Sequence, residues 1–180
     1  MKEDNGFRVF SIVIEISEKH LPHMSKSMTE NLSGTIAEVR KIAGEDALYI
    51  QKGNEYIIVI LSDCKTVQKD LLNKIKSWYY NNSLYSKSPS IGIDTREANT
   101  ARSTKASVLI ARYRMHKAMM KSKVLSELGA SCIKQYISLF KDFMNELIEN
   151  DYNGTLNKEI LDISEYLDTL ITKYESKKRT

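Results

Sequence analysis

Ala47-Leu-Tyr-Ile-Gln-Lys-Gly-Asn-Glu-Tyr-Ile-Ile-Val-Ile-Leu61 is the stretch on which the fold turns. Two apolar runs, 47–51 and 56–62, flank Lys52-Gly53-Asn54-Glu55. Gly53-Asn54 stands where a tight turn needs positive φ, so a β-hairpin is expected. Upstream lies a second apolar run, Val9-Phe-Ser-Ile-Val-Ile-Glu-Ile16, with one acid, Glu15. Its nearly continuous apolar character marks a strand over 8–17 that is buried on both faces. A lone carboxylate in such a strand, with another at a hairpin turn, is a recurring way to hold a metal-bound nucleotide. An unpaired buried carboxylate is costly. Glu15 and Glu55 are therefore the candidate ligand pair, and a salt bridge to Lys52 or Lys123 is the structural alternative.

Outward from the hairpin, the periodicity alternates. Met24, Met28, Leu32, Ile36 and Val39 fall at helical spacing within 20–43, with Pro22 near the start and Gly44 at the stop. A further helix covers 66–79, with Val67, Leu71, Leu72 and Ile75 on one side. Tyr79 to Ser88 reads as a polar, aromatic loop whose Tyr79, Tyr80 and Tyr85 either pack or stack on bases. Pro89-Ser-Ile-Gly-Ile-Asp94 is a short strand, and 104–126 a long helix. The order is β-α-β-β-α-β-α, an α+β domain with an antiparallel sheet and helices on one face.

The chain then changes character. Ile133, Ile137, Phe140, Met144 and Leu147 alternate steps of four and three, as do Leu156, Ile160, Ile163, Leu167, Leu170 and Tyr174. This seam is coiled-coil-like. Asp151-Tyr-Asn-Gly154 is a turn between the two runs. The expected division is an α/β domain over 1–127 and a helical hairpin over 128–180. The hairpin seams pack on each other or on the sheet domain, or serve a homodimer or protein partner through 130–149 and 155–175.

Composition narrows the classes. The 180 residues carry 42% hydrophobic side chains, enough for a core, and only 2 Pro and 7 Gly, too few for long linkers. A net charge of +4 permits a phosphate-bearing ligand without demanding one. Cys64 and Cys132 form no zinc pattern and read as free thiols of a reducing compartment. Met1-Lys-Glu-Asp-Asn-Gly6 lacks a signal-peptide core. No apolar run reaches the roughly eighteen residues of a membrane span. A cytoplasmic protein is expected.

Arg102, Lys105, Arg112, Arg114, Lys117, Lys121 and Lys123 form a basic helix without intervening acid, either a solvated face or a phosphate or nucleic-acid contact. His20 and His23 lack a third ligand, and His116 reads as a helix-surface residue.

With these elements in order, the chain resembles the GGDEF domain of diguanylate cyclases, a relative of class III nucleotide cyclases and of the polymerase palm of CRISPR signalling subunits. Lys52-Gly-Asn-Glu-Tyr56 sits where the family has Gly-Gly-Asp/Glu-Glu-Phe. Ile12-Val-Ile-Glu-Ile-Ser17 is similar to its first strand, and Ser90-Ile-Gly-Ile93 to its Ser-Ile-Gly strand. Ala106-Ser-Val-Leu-Ile-Ala-Arg112 and Ala118-Met-Met-Lys-Ser-Lys123 resemble its last helix. The resemblance covers about residues 8–125 and implies a ferredoxin-like palm.

It also implies a site. In the family, two divalent metals bridge carboxylates and the triphosphate and activate the attacking hydroxyl. Carried over, Glu15 and Glu55 hold Mg²⁺ or Mn²⁺ and are the catalytic carboxylates. Lys52, Gly53, Asn54 and Lys123 line the nucleotide, and Ser17 takes a second carboxylate position. Asn54 and Ser17 remove negative charge, Lys52 replaces a Gly, and Glu15 is one methylene longer than Asp. The family's stretch after strand one has no counterpart in Glu18-Lys-His-Leu-Pro-His23. The expectation is a degenerate GGDEF-like signalling module that binds a purine nucleotide with little or no cyclase activity. Two alternatives stand beside it. One is an active divergent cyclase of the minimal CRISPR polymerase type, making a cyclic messenger in antiviral defence, with Asp63 or Asp94 as possible replacement ligands. The other is an RNA-binding module, against which Asn54 stands where a stacking aromatic belongs.

Overall fold

The computed structural model describes residues 8–15, 47–52, 55–62, 69, 70, 73, 74, 77, 91–97, 101–122, 128–151 and 154–178. Four strands, β1 (Arg8–Glu15), β2 (Leu48–Lys52), β3 (Glu55–Ser62) and β4 (Ile91–Glu97), form one antiparallel sheet in the order β2-β3-β1-β4. Three helices follow: α1 (Ala101–Ser122), α2 (Ala130–Asn150) and α3 (Asn157–Lys178). The molecule is α+β, as its alternating periodicities require. The helix expected over 20–43 and the loop over 79–88 lie outside the described residues. Within 66–79, residues 69, 70, 73, 74 and 77 are helical and exposed, the polar complement of the apolar stripe.

The β2–β3 hairpin forms where expected, with each strand running one residue further toward the turn. Lys52 is paired with Glu55, which leaves a two-residue connection, Gly53-Asn54, outside the described residues. β1 lies between β3 and β4, and Val9, Phe10, Ser11, Ile12 and Val13 are all buried. Both faces of this strand are thus closed to solvent, and among the described residues the helix that packs on the sheet lies on one face, as expected. Val9, Val13, Ile57 and Val59 pack against Ala111 and Met115 of α1. Phe10, Ile12, Ile58 and Ile60 form a separate cluster on the opposite face.

Gly92 of β4 explains how α1 sits so close. A Cβ built there would lie 1.7 Å from the Ala111 carbonyl oxygen and 2.5 Å from the Met115 nitrogen. Only a residue without a side chain lets the helix backbone rest on the strand. Ser11 of β1 and Ser107 of α1 meet in the same interface through a buried 2.9 Å hydrogen bond. α1 starts at Ala101, three residues before the expected position.

α1 is a middle layer. Its second face, with Ala106, Leu109, Ile110, Tyr113 and Met120, joins the core of the α2–α3 hairpin. Ile133, Phe140 and Leu147 of α2, with Ile163, Leu167 and Leu170 of α3, are buried in that core. Ile137, Met144, Ile160 and Tyr174 are partly buried and pack against it. Both heptad seams are therefore consumed within the chain. Phe143 and Tyr166, outside the seams, are buried too, because α1 is a third partner and widens the apolar stripe beyond a two-helix seam.

The turn between α2 and α3 is built by Asp151. Its carboxylate accepts hydrogen bonds from the Thr155 and Leu156 backbone nitrogens at 2.8 and 3.0 Å. These satisfy amides at the entry to α3. Gly154 takes φ +65°, the left-handed conformation that glycine adopts freely.

Candidate functional site

Glu55 opens β3 directly after the hairpin turn, where the pairing ends. In the backbone register it faces Lys52 of β2 on one side and Glu15 of β1 on the other. The two candidate acids, distant in sequence, are thus neighbours across a ladder at one end of the sheet. Antiparallel pairing of β1 with β3 produces this, because the end of one strand meets the start of the other.

The Glu55 side chain points at α1. Arg112 donates from Nε to Oε2 at 2.6 Å and from Nη2 to Oε1 at 3.2 Å. His116 Nε2 lies 2.9 Å from Oε1, and it donates, since an ionised carboxylate only accepts. Arg112 and His116 are one helical turn apart, so both reach the same strand end. Glu55 and Arg112 are each 12% exposed and His116 is 11% exposed at the side chain. Burial disfavours ionisation of Glu55. The hydrogen bonds from His116 and Arg112, with their charges, outweigh it and bring the carboxyl down to about 2.

Aromatic rings of α2 back the two donors. The Arg112 guanidinium carbon lies 4.9 Å from the centre of the Phe143 ring. The His116 ring is 5.9 Å from Phe143 and 6.0 Å from Tyr136. His116 Nδ1 is buried and meets no hydrogen-bond partner among the described residues. The expectation of a surface histidine is corrected here: residue 116 is 8% exposed. Apolar neighbours at Met115, Met119 and Met120 carry the burial signal, which a reading of the helix by charge alone passes over.

The remaining expected residues distribute as follows. For Glu15 and Lys52 the backbone positions are described, and they flank Glu55. Gly53, Asn54, Lys123, Ser17, His20, His23, Asp63 and Cys64 lie outside the described residues, as do Tyr79, Tyr80 and Tyr85. Asp94 is buried at the centre of a second ion cluster. Arg96 Nε and Arg114 Nη1 donate to its two oxygens at 2.7 and 2.9 Å. Arg114 also donates to the Ile93 carbonyl at 2.7 Å, and Arg96 lies 3.5 Å from Glu159 of α3.

The basic helix is neither a solvated face nor an open phosphate surface over these positions. Arg112 pairs with β3, Arg114 with β4 and Lys117 with Asp162 of α3 at 2.7 Å. Lys117 also lies over the rings of Tyr113 and Tyr166, 5.2 and 5.0 Å from their centres. Burial pushes the Tyr113 hydroxyl well above its ordinary range, and it donates to the Asp162 carbonyl at 3.1 Å. A helix with six cations and no acid, followed by α3 with five acids, carries the Lys117–Asp162 pairing as a charge pattern.

Chemically, Glu55 is an anchor for α1. A divalent ion does not fit at this carboxylate as it stands, because Arg112 brings a positive charge within 2.6 Å of one oxygen and His116 holds the other. Any cation must first displace them. Among the described residues, no three side chains of the metal-ligating types gather at one point. No family model and no curated protein matches this chain. None of the helices described is long and apolar enough to cross a membrane.

Proposed function

We propose that the chain is a degenerate GGDEF-like signalling module, a palm-type sheet that takes a purine nucleotide with little or no cyclase activity. One observation carries the reading: Glu55 stands at the strand end where the family keeps a metal-binding carboxylate, opposite Glu15, yet it is engaged by Arg112 and His116. The strand order β2-β3-β1-β4 is the one a ferredoxin-like palm has, which supports the scaffold half. Gly92, in the Ser-Ile-Gly strand, has a structural duty that this scaffold accounts for. The engaged carboxylate supports the loss of two-metal chemistry, which needs free oxygen ligands. A cytoplasmic place and a protein partner reached through the hairpin complete the reading.

The test is a panel of labelled NTPs incubated with Mg²⁺ or Mn²⁺, with products resolved, alongside thermal shifts with the same nucleotides. The expected result is no cyclic or linear dinucleotide and a stabilising shift with a purine nucleotide. A product that disappears on Glu15→Gln or Glu55→Gln overturns the degenerate reading in favour of an active cyclase. Absence of any nucleotide shift removes the binding half.

A further inference from the structure

We infer that the C-terminal hairpin is a built-in latch on the acidic corner of the sheet, acting through Phe143. Its regulatory meaning rests on the nucleotide-binding reading above, whereas its mechanics rest on the contacts alone.

The chain of contacts is short. Glu55 is held by two donors, Arg112 and His116, both on α1. Neither donor is fixed by α1 alone. Phe143 of α2 packs against both, 4.9 Å from the guanidinium and 5.9 Å from the imidazole. Arg112 is therefore clamped between a ring on the hairpin and a carboxylate on β3. An arginine stacked on an aromatic face loses little entropy per hydrogen bond formed, because its fork is already oriented. With the hairpin seated, the donors stay on Glu55, and the carboxylate is closed to any competing cation. With the Phe143 ring withdrawn while the rest of the hairpin stays seated on α1, Arg112 regains rotamer freedom and the strand end at Lys52–Glu55 loses its tie to α1. A partner that shifts α2 at Phe143 would thereby open the corner. The neighbouring cation of α1, Arg114, binds Asp94 and the Ile93 carbonyl instead, so the β4 side keeps its own attachment to α1.

Proton exchange in the full-length chain tests this. The sites are the Arg112 Nε–H, the backbone amides of 55–59 and those of β4, in wild type and Phe143→Leu. Leu170→Ala, a core truncation in α3, is the reference for general loss of stability. The expected result for Phe143→Leu is exchange about tenfold faster at Arg112 Nε–H and at the 55–59 amides, with β4 little changed. Leu170→Ala should speed β3 and β4 together. Unchanged exchange at Arg112 and Glu55 in Phe143→Leu, or an equal rise in β4, overturns the latch. Thermal shifts with GTP on the same samples separate the two ideas. Coupled exchange without a nucleotide shift in either protein keeps the latch and removes the binding reading. A shift without coupled exchange does the reverse.

Discussion

The weight of single residues in this protein depends on where their charges end up. Glu55 and Arg112 form a mostly buried, bidentate pair, whereas Lys105 and Glu146 sit 3.5 Å apart with more than two-fifths of each side chain exposed. Removing one partner of a buried pair strands the other charge and costs about 3–5 kcal/mol. Breaking an exposed pair costs about 0–1 kcal/mol. Urea unfolding should therefore show Arg112→Ala strongly destabilised and Lys105→Ala close to wild type. Glu55 also sets an acid limit. Its folded carboxyl titrates near 2 against an ordinary 4.5, so its stabilisation is full above 4.5 and is lost as pH falls toward 2. The lost stability is on the order of 3 kcal/mol. Unfolding free energy measured between pH 5 and pH 2 should drop more steeply in wild type than in Glu55→Gln. The sequence made Glu55 conspicuous by its place beside a turn. It did not name Arg112 and His116 as partners, because a partner on a helix far downstream has no local signature.

Among the elements, the sheet followed from local chemistry. Gly53-Asn54 between apolar runs specifies a hairpin, and the continuous apolar run of β1 specifies a central strand. The attachment of α1 did not follow, because it depends on an approach distance. Gly92→Ala places a methyl group inside the Ala111 carbonyl, so α1 must move off β4. Overpacking of this kind costs about 1–3 kcal/mol and can exceed it at a backbone contact. Thermal unfolding of Gly92→Ala should show a drop at the upper end of that range or beyond. At the other interface, Asp151→Ala removes the acceptor for two amides at the start of α3. A loss of about 1 kcal/mol is expected, the usual weight of a helix cap, read by urea denaturation.

The described residues stack as sheet, α1 and hairpin, and the middle layer belongs to both neighbours. Cutting the chain at the expected boundary near residue 127 would uncover Leu109, Ile110, Tyr113 and Met120. A 1–127 fragment should therefore aggregate or lose helical signal, as judged by size-exclusion chromatography and circular dichroism, whereas the full chain stays folded. A compact, helical, monomeric fragment would show that α1 does not need its cover. The sequence by itself determined the α+β class, the hairpin, the buried first strand and two amphipathic C-terminal helices, since each is encoded by spacing within one segment. Only the tertiary structure decided that α1 is buried on two sides, that its cations serve β3, β4 and α3, and that His116 is internal. The physical reason is that a local pattern states which side of a segment avoids water. The charge or ring that meets it is supplied by another segment, and folding alone chooses which.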